Sequence, residues 1–161
     1  MTAPNIEYGM LGPILIVLGA ALIGVLIEAF ASRRYRYVLQ VGTSFAGVTL
    51  AFLQLILIRN SSSKVAVNAM SIDGVAIVLQ GSVLIFGFLG LLLIAERGFQ
   101  SFTAQAAAIP GSNEEQKALV SGLQQTEVFP LTLFAISGAL IFPAANDLLT
   151  LFVSLEVCAC G

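Results

Sequence analysis

Three carboxylates lie within or at the ends of apolar stretches of this 161-residue chain: Glu28, Glu127 and Glu156. An ionised group inside hydrocarbon is costly, and such side chains commonly face a bundle interior or a hydrated path and take part in moving ions or protons. Glu156 is the one without a simple structural account. It stands in the apolar run Asn146-Asp147-Leu148-Leu149-Thr150-Leu151-Phe152-Val153-Ser154-Leu155-Glu156-Val157. If that run enters a bilayer at Asp147 as a helix, Glu156 is carried roughly 13 Å inward, near the middle of a hydrocarbon core about 30 Å thick. A carboxyl group there suits a protonation switch set by a nearby cation. No Lys or Arg of the sequence falls at that depth, so the cation is expected from elsewhere.

Glu28 and Glu127 are weaker candidates. Glu28 lies a few residues before Arg33, so pairing and snorkelling account for it as well as a proton path does. Glu127 opens an apolar run, where the positive end of a helix dipole accommodates a carboxylate. The two cysteines, Cys158 and Cys160, do not make a metal site, because the chain has no His and a Cys-x-Cys pair cannot complete a four-ligand zinc set. A net charge of -2 with no concentrated Lys or Arg argues against a nucleic-acid partner.

The elements that must position these carboxylates are apolar helices. The chain is 58% hydrophobic and only 10% charged, with a mean hydropathy of +0.97. A soluble domain carries roughly 25% charged residues. The expected class is all-α, a polytopic membrane protein in contact with the lipid bilayer. Residues 1–161 read as a single membrane region with helices over about 11–30, 38–58, 75–95 and 128–145 and a fifth over 147–161. Residues 98–126 read as a cytoplasmic loop, either solvated with a helical turn or two or carrying a short surface helix capped by Ser112 or Asn113. Small residues recur four apart at Ala20 and Gly24, at Gly42 and Ala46, and at Gly47 and Ala51, a spacing that lets helix backbones approach in lipid.

Orientation follows from the basic residues. Arg33, Arg34 and Arg36 come after the first apolar run, not before it, so the run is a retained helix and not a secretory signal. Placing these with Arg97 and Lys117 in the cytoplasm leaves only Arg59 and Lys64 outside, as the positive-inside rule requires. The N-terminus and Asp147 are then external, and the fifth helix descends with Glu156. Its residues cover about 22 Å as a helix, so four transmembrane helices plus an incomplete fifth are expected, as in a fragment of a longer chain.

Glu127-Val128-Phe129-Pro130-Leu131-Thr132-Leu133, followed by Asn146-Asp147-Leu148-Leu149-Thr150-Leu151-Phe152-Val153-Ser154-Leu155-Glu156, resembles the fourth and fifth transmembrane helices of subunit N of bacterial NADH-quinone oxidoreductases of the respiratory complex I type. Ile72-Asp73-Gly74 and the three preceding spans look like the start of that subunit. Leu155 stands where the related antiporter subunits usually carry an aromatic, which favours subunit N. The resemblance implies an N-terminal portion of a proton-translocating subunit that couples electron transfer from NADH to quinone with proton movement, not competent alone. It also implies that Glu156 matches the family's fifth-helix Glu, which works with a Lys on a later helix. NADH, flavin, iron–sulfur clusters and quinone are then expected on other subunits, with no cofactor in this chain. The partners are the other membrane subunits and the location is the bacterial plasma (inner) membrane. The family continues with a Leu-Ser-Leu-Pro type sequence, whereas this chain reads Val157-Cys158-Ala159-Cys160-Gly161. A small assembly or helix-packing protein without transport, and a fragment of a multisubunit cation/proton antiporter, are the alternatives. The orientation is testable: a cysteine replacing Asp147, with Cys158 and Cys160 changed to Ser, is expected to react with a membrane-impermeant maleimide added outside the cell, and labelling only from the cytoplasmic side would overturn it.

Overall fold

The computed structural model describes residues 8–58, 66–67, 70–96 and 126–160. The expected loop over 98–126 and its surface helix lie outside the described residues, Thr126 excepted. The described chain is built from α1 (Tyr8–Phe30), α2 (Arg33–Ile58), the paired two-residue strands β1 (Ala66–Val67) and β2 (Met70–Ser71), α3 (Gly74–Ala95), α4 (Val128–Ile141) and α5 (Leu148–Cys160). A single 3₁₀ turn, Phe142–Ala144, joins α4 to the last helix. Helices α1, α2 and α3 are each long and apolar enough to cross a membrane, and Val128–Ala144 and Leu148–Ala159 are shorter apolar segments.

α1 and α2 form a tight antiparallel hairpin. The amide of Ala31 closes α1 on the carbonyl of Ile27, and the carbonyl of Ser32 accepts from Tyr35 and Arg36 to start α2, which therefore begins before the expected residue 38. The apolar core joins α1 (Val17, Ala21), α2 (Val48, Ala51), α3 (Leu84, Leu91) and α4 (Leu133, Leu140). At one end of the bundle Met10, Ile72 and Ala144 form a second, smaller apolar cluster. There Met70 also pairs as a β-bridge with Ala145. α5 packs on α4 and on the 3₁₀ turn, at the edge of the fold.

The outer surface is apolar. Phe30 is 84% exposed, Leu57 74%, Phe86 72% and Leu148 82%, a covering that fits lipid and not water. In lipid an apolar surface gains nothing by leaving the solvent, so helix contacts rely on close packing and interhelical hydrogen bonds. Both are present. A Cβ on Gly47 would lie 2.5 Å from the Cβ of Ala20, and one on Gly138 would lie 2.6 Å from the amide nitrogen of Cys158 and 2.8 Å from the carbonyl oxygen of Ser154.

Three glutamines supply the hydrogen bonds. Gln40 donates to the Gly24 carbonyl at 2.8 Å, Gln54 to that of Gly9 at 3.3 Å and Gln80 to that of Leu140 at 3.0 Å. The Gly9 carbonyl needs this partner because Pro13, four residues on, has no N–H to offer. Gly12 leaves the space: a Cβ there would overlap the Gln54 amide.

Gly138→Ala is expected to force α4 and α5 apart and to destabilise the protein by about 1–3 kcal/mol, read as heat-induced unfolding in lipid nanodiscs. Gly42→Ala, with nothing within 4 Å of the added carbon, is expected to leave the unfolding temperature unchanged or slightly raised.

Candidate functional site

The end of the bundle opposite Met10 is held by polar groups around Glu28. Arg36 Nη1 donates to Glu28 Oε1 at 2.8 Å, and Glu28 Oε2 accepts from Thr126 Oγ1 at 2.7 Å and from Gln40 Nε2 at 3.1 Å. The second guanidinium nitrogen, Nη2, donates to the carbonyl of Ala31 at 3.1 Å. The Arg36 and Glu28 side chains are 27% and 18% exposed. Beside them Tyr37 donates to the carbonyl of Ala95 at 2.8 Å, and its ring meets Phe129 edge-on at a centroid distance of 6.0 Å. Groups from α1, α2, the end of α3 and the start of α4 thus converge on one layer.

Each position has a local cause. Glu28 lies on the last turn of α1, and Arg36 and Gln40 are four apart on α2, hence on one face. Thr126 precedes α4, whose N-terminal dipole favours a carboxylate nearby. The charges balance at a distance where the pair is firm, so the cluster binds helices together and holds Glu28 in one orientation. The arginine shown paired with Glu28 is Arg36; the side chain of Arg33, near which the sequence places Glu28, lies outside the described residues. Gln40 and Thr126 were not picked out from sequence. Gln40 carried a signal, as an amide in an apolar span one turn beyond Arg36. Thr126 carried none, because a long stretch of chain separates it from Glu28.

Glu127 is the residue before α4; it is exposed and makes no side-chain capping bond. Asp73 holds the same place before α3, again without a side-chain cap. Glu156 is on α5. The Ser154 and Cys158 backbone flanks Gly138, which sets Glu156 at the height of Gly138, ten residues along α4 from Val128 and so roughly 15 Å from the Glu28 layer. Its side chain is exposed, among Phe152, Val153 and Leu155. The expectation that it faces other helices is therefore not met among the described residues. The reason is helical phase: Ser154, fully buried, faces α4, and two residues further at about 100° each turns Glu156 to the opposite side. The structure does not bring Glu28, Glu127 and Glu156 together.

Apolar helices with lipid-facing surfaces and interhelical polar clasps define a multi-pass helical membrane protein. No family model matches the chain. Among curated proteins it is 46% identical over 169 residues to NADH-quinone oxidoreductase subunit N of Beutenbergia cavernae, covering 96% of this chain and 32% of that protein. The subunit N of Rhodococcus opacus (strain B4) is 43% identical over 178 residues, 96% of this chain and 33% of the relative. That of Mycobacterium tuberculosis is 39% identical over 179 residues, 98% and 34% respectively. The chain is thus a relative of NADH-quinone oxidoreductase subunit N, and it spans about a third of the length of the curated relatives it matches. The resemblance read from residues 127–156 is borne out.

Glu28→Leu is expected to leave Arg36, Gln40 and Thr126 with unmatched donors and to destabilise the protein by about 3 kcal/mol. Adding Arg36→Leu is expected to recover part of that loss, with a coupling of about 1–3 kcal/mol in a double-mutant cycle of thermal unfolding. Strict additivity would show that the pair is not coupled.

Proposed function

We propose that this chain supplies part of a proton-translocating membrane subunit of an NADH:quinone oxidoreductase, in the plasma (inner) membrane of a bacterium. The observation that carries this reading is the identity of 46% to a subunit N across 96% of the chain. The topology proposed with it places the N-terminus and the Met10 end outside and the Glu28 layer with Arg33, Arg34 and Arg36 in the cytoplasm, in accord with the positive-inside rule. The redox groups, NADH, flavin, iron–sulfur clusters and quinone, sit on other subunits.

Within this reading Glu156 is the residue that moves protons. What supports it is its position: an exposed carboxylate at mid-depth, among side chains that otherwise suit lipid. A charge left against hydrocarbon is expensive, so the open face of α5 is covered in the working assembly by a membrane helix of another segment or subunit that brings a cation. Glu28, already matched by three donors, is the lesser candidate and Glu127, exposed at a helix start, the least.

Tagged protein extracted in mild detergent is expected to co-purify with the subunits of an NADH-quinone oxidoreductase, and Glu156→Gln in inside-out membrane vesicles is expected to reduce NADH-driven proton uptake several-fold while Glu156→Asp keeps most of it. Purification as a monomer or homo-oligomer free of those subunits would overturn the assignment in favour of an assembly or packing protein. Proton uptake that persists only with sodium would point to the antiporter relatives instead.

A further inference from the structure

Beyond the Glu28 layer, the same face of α2 continues inward as a row of buried polar atoms that find no partner. Arg36 Nε, Gln40 Oε1 and Ser44 Oγ are three of the four buried side-chain polar atoms without a hydrogen bond among the described residues. Gln40 and Ser44 are fully buried. A buried polar atom left unmade costs about 1–3 kcal/mol, so three in a row on one helix face call for a ligand.

We propose that Arg36, Gln40 and Ser44 hold internal water, forming a hydrated inlet that runs from the Glu28 carboxylate into the bundle. The chemistry of the three atoms matches water: a donor, an acceptor, and a hydroxyl that does both. Successive positions four apart rise about 6 Å along the helix, which is close to two hydrogen bonds of about 2.8 Å through one oxygen. A buried water typically makes about three bonds, and neighbouring members of the row supply two of them. Small residues face the row. Ser44 lies between two α1–α2 contacts, Gly24 with Gln40 and Ala20 with Gly47, so Ala20, Ala21 and Gly24 stand across from it. At Gly24 an added Cβ would come within 3.1 Å of Gln40 Oε1, a tight contact. A metal cation does not fit as well, because Arg36 already neutralises Glu28 at 2.8 Å and its Nε is itself a donor. From Arg36 to Ser44 the row extends about 12 Å, so water bound there hydrates the bundle well inside the apolar layer. The site stands on its own geometry, whether or not the chain takes part in proton movement.

Two measurements test it. A structure of the unmodified protein in lipid, at a resolution that shows ordered solvent, is expected to place a water within hydrogen-bond distance of both Gln40 Oε1 and Ser44 Oγ; a continuous apolar contact without solvent density there overturns the site. Ser44→Ala is expected to lower the melting temperature in nanodiscs by about 2 °C by taking a partner from the water, whereas an unchanged or raised value shows that the hydroxyl was merely an unmet group in a dry core. Should the variant fail to fold, the solvent density in the unmodified protein decides.

Discussion

One carboxylate carries the assembly of this bundle. Glu28 accepts from Arg36, Gln40 and Thr126, so a single side chain of α1 links α2 and the entry to α4. Tyr37, next to Arg36, extends the tie to the last carbonyl of α3. In lipid there is no hydrophobic drive to bring helices together, and a polar group without a partner has no water to fall back on. The charge-assisted hydrogen bonds on the Glu28 carboxylate therefore act as a clamp. At the other end of the bundle Met10, Ile72 and Ala144 meet through apolar contact, which is adequate only because the Glu28 layer already fixes the order of the helices.

Between those ends, glycine and glutamine work in pairs. Gly12 lets Gln54 reach the Gly9 carbonyl that Pro13 leaves open, and Gly24 lets both Gln40 and Pro130 of α4 come close to α1. The glutamine alone is too long for a close helix contact. The glycine alone would leave a gap. Together they allow backbones to approach while the amide stays bonded, and at Gln40 the Nε2 serves both Gly24 and Glu28.

Much of the helical order was legible in the sequence, because runs of about 20 apolar residues have one physical meaning. What hydropathy does not encode is azimuth. Gly42–Ala46 and Gly47–Ala51 have the same spacing, yet Gly47 meets Ala20 while Gly42 has nothing within 4 Å of its added carbon and Ala46 is exposed. Five residues on a helix amount to about 500°, so the two pairs point in different directions, and only tertiary packing selects between them. The same limit applied to the carboxylates. The sequence marks Glu28 as near arginines without saying that Arg36 has the phase to reach it. It marks Glu156 as deep in an apolar run without saying which way it turns.

The two carboxylates now stand in opposite situations, and the contrast bears on what each can do. Glu28 is surrounded by donors and paired with a guanidinium, an arrangement whose energy depends on the carboxylate staying put. Glu156 is held in place only by its helix. The contacts that seat α5 come from the opposite face, where Ser154 and Cys158 close on Gly138, so the Glu156 side chain takes no part in the packing of α4 on α5. Leu148, Leu149, Phe152 and Val153 expose an apolar surface on which a bare carboxylate is a misfit. A helix carrying a cation, laid on that face, would remove the misfit by pairing the charge away from hydrocarbon.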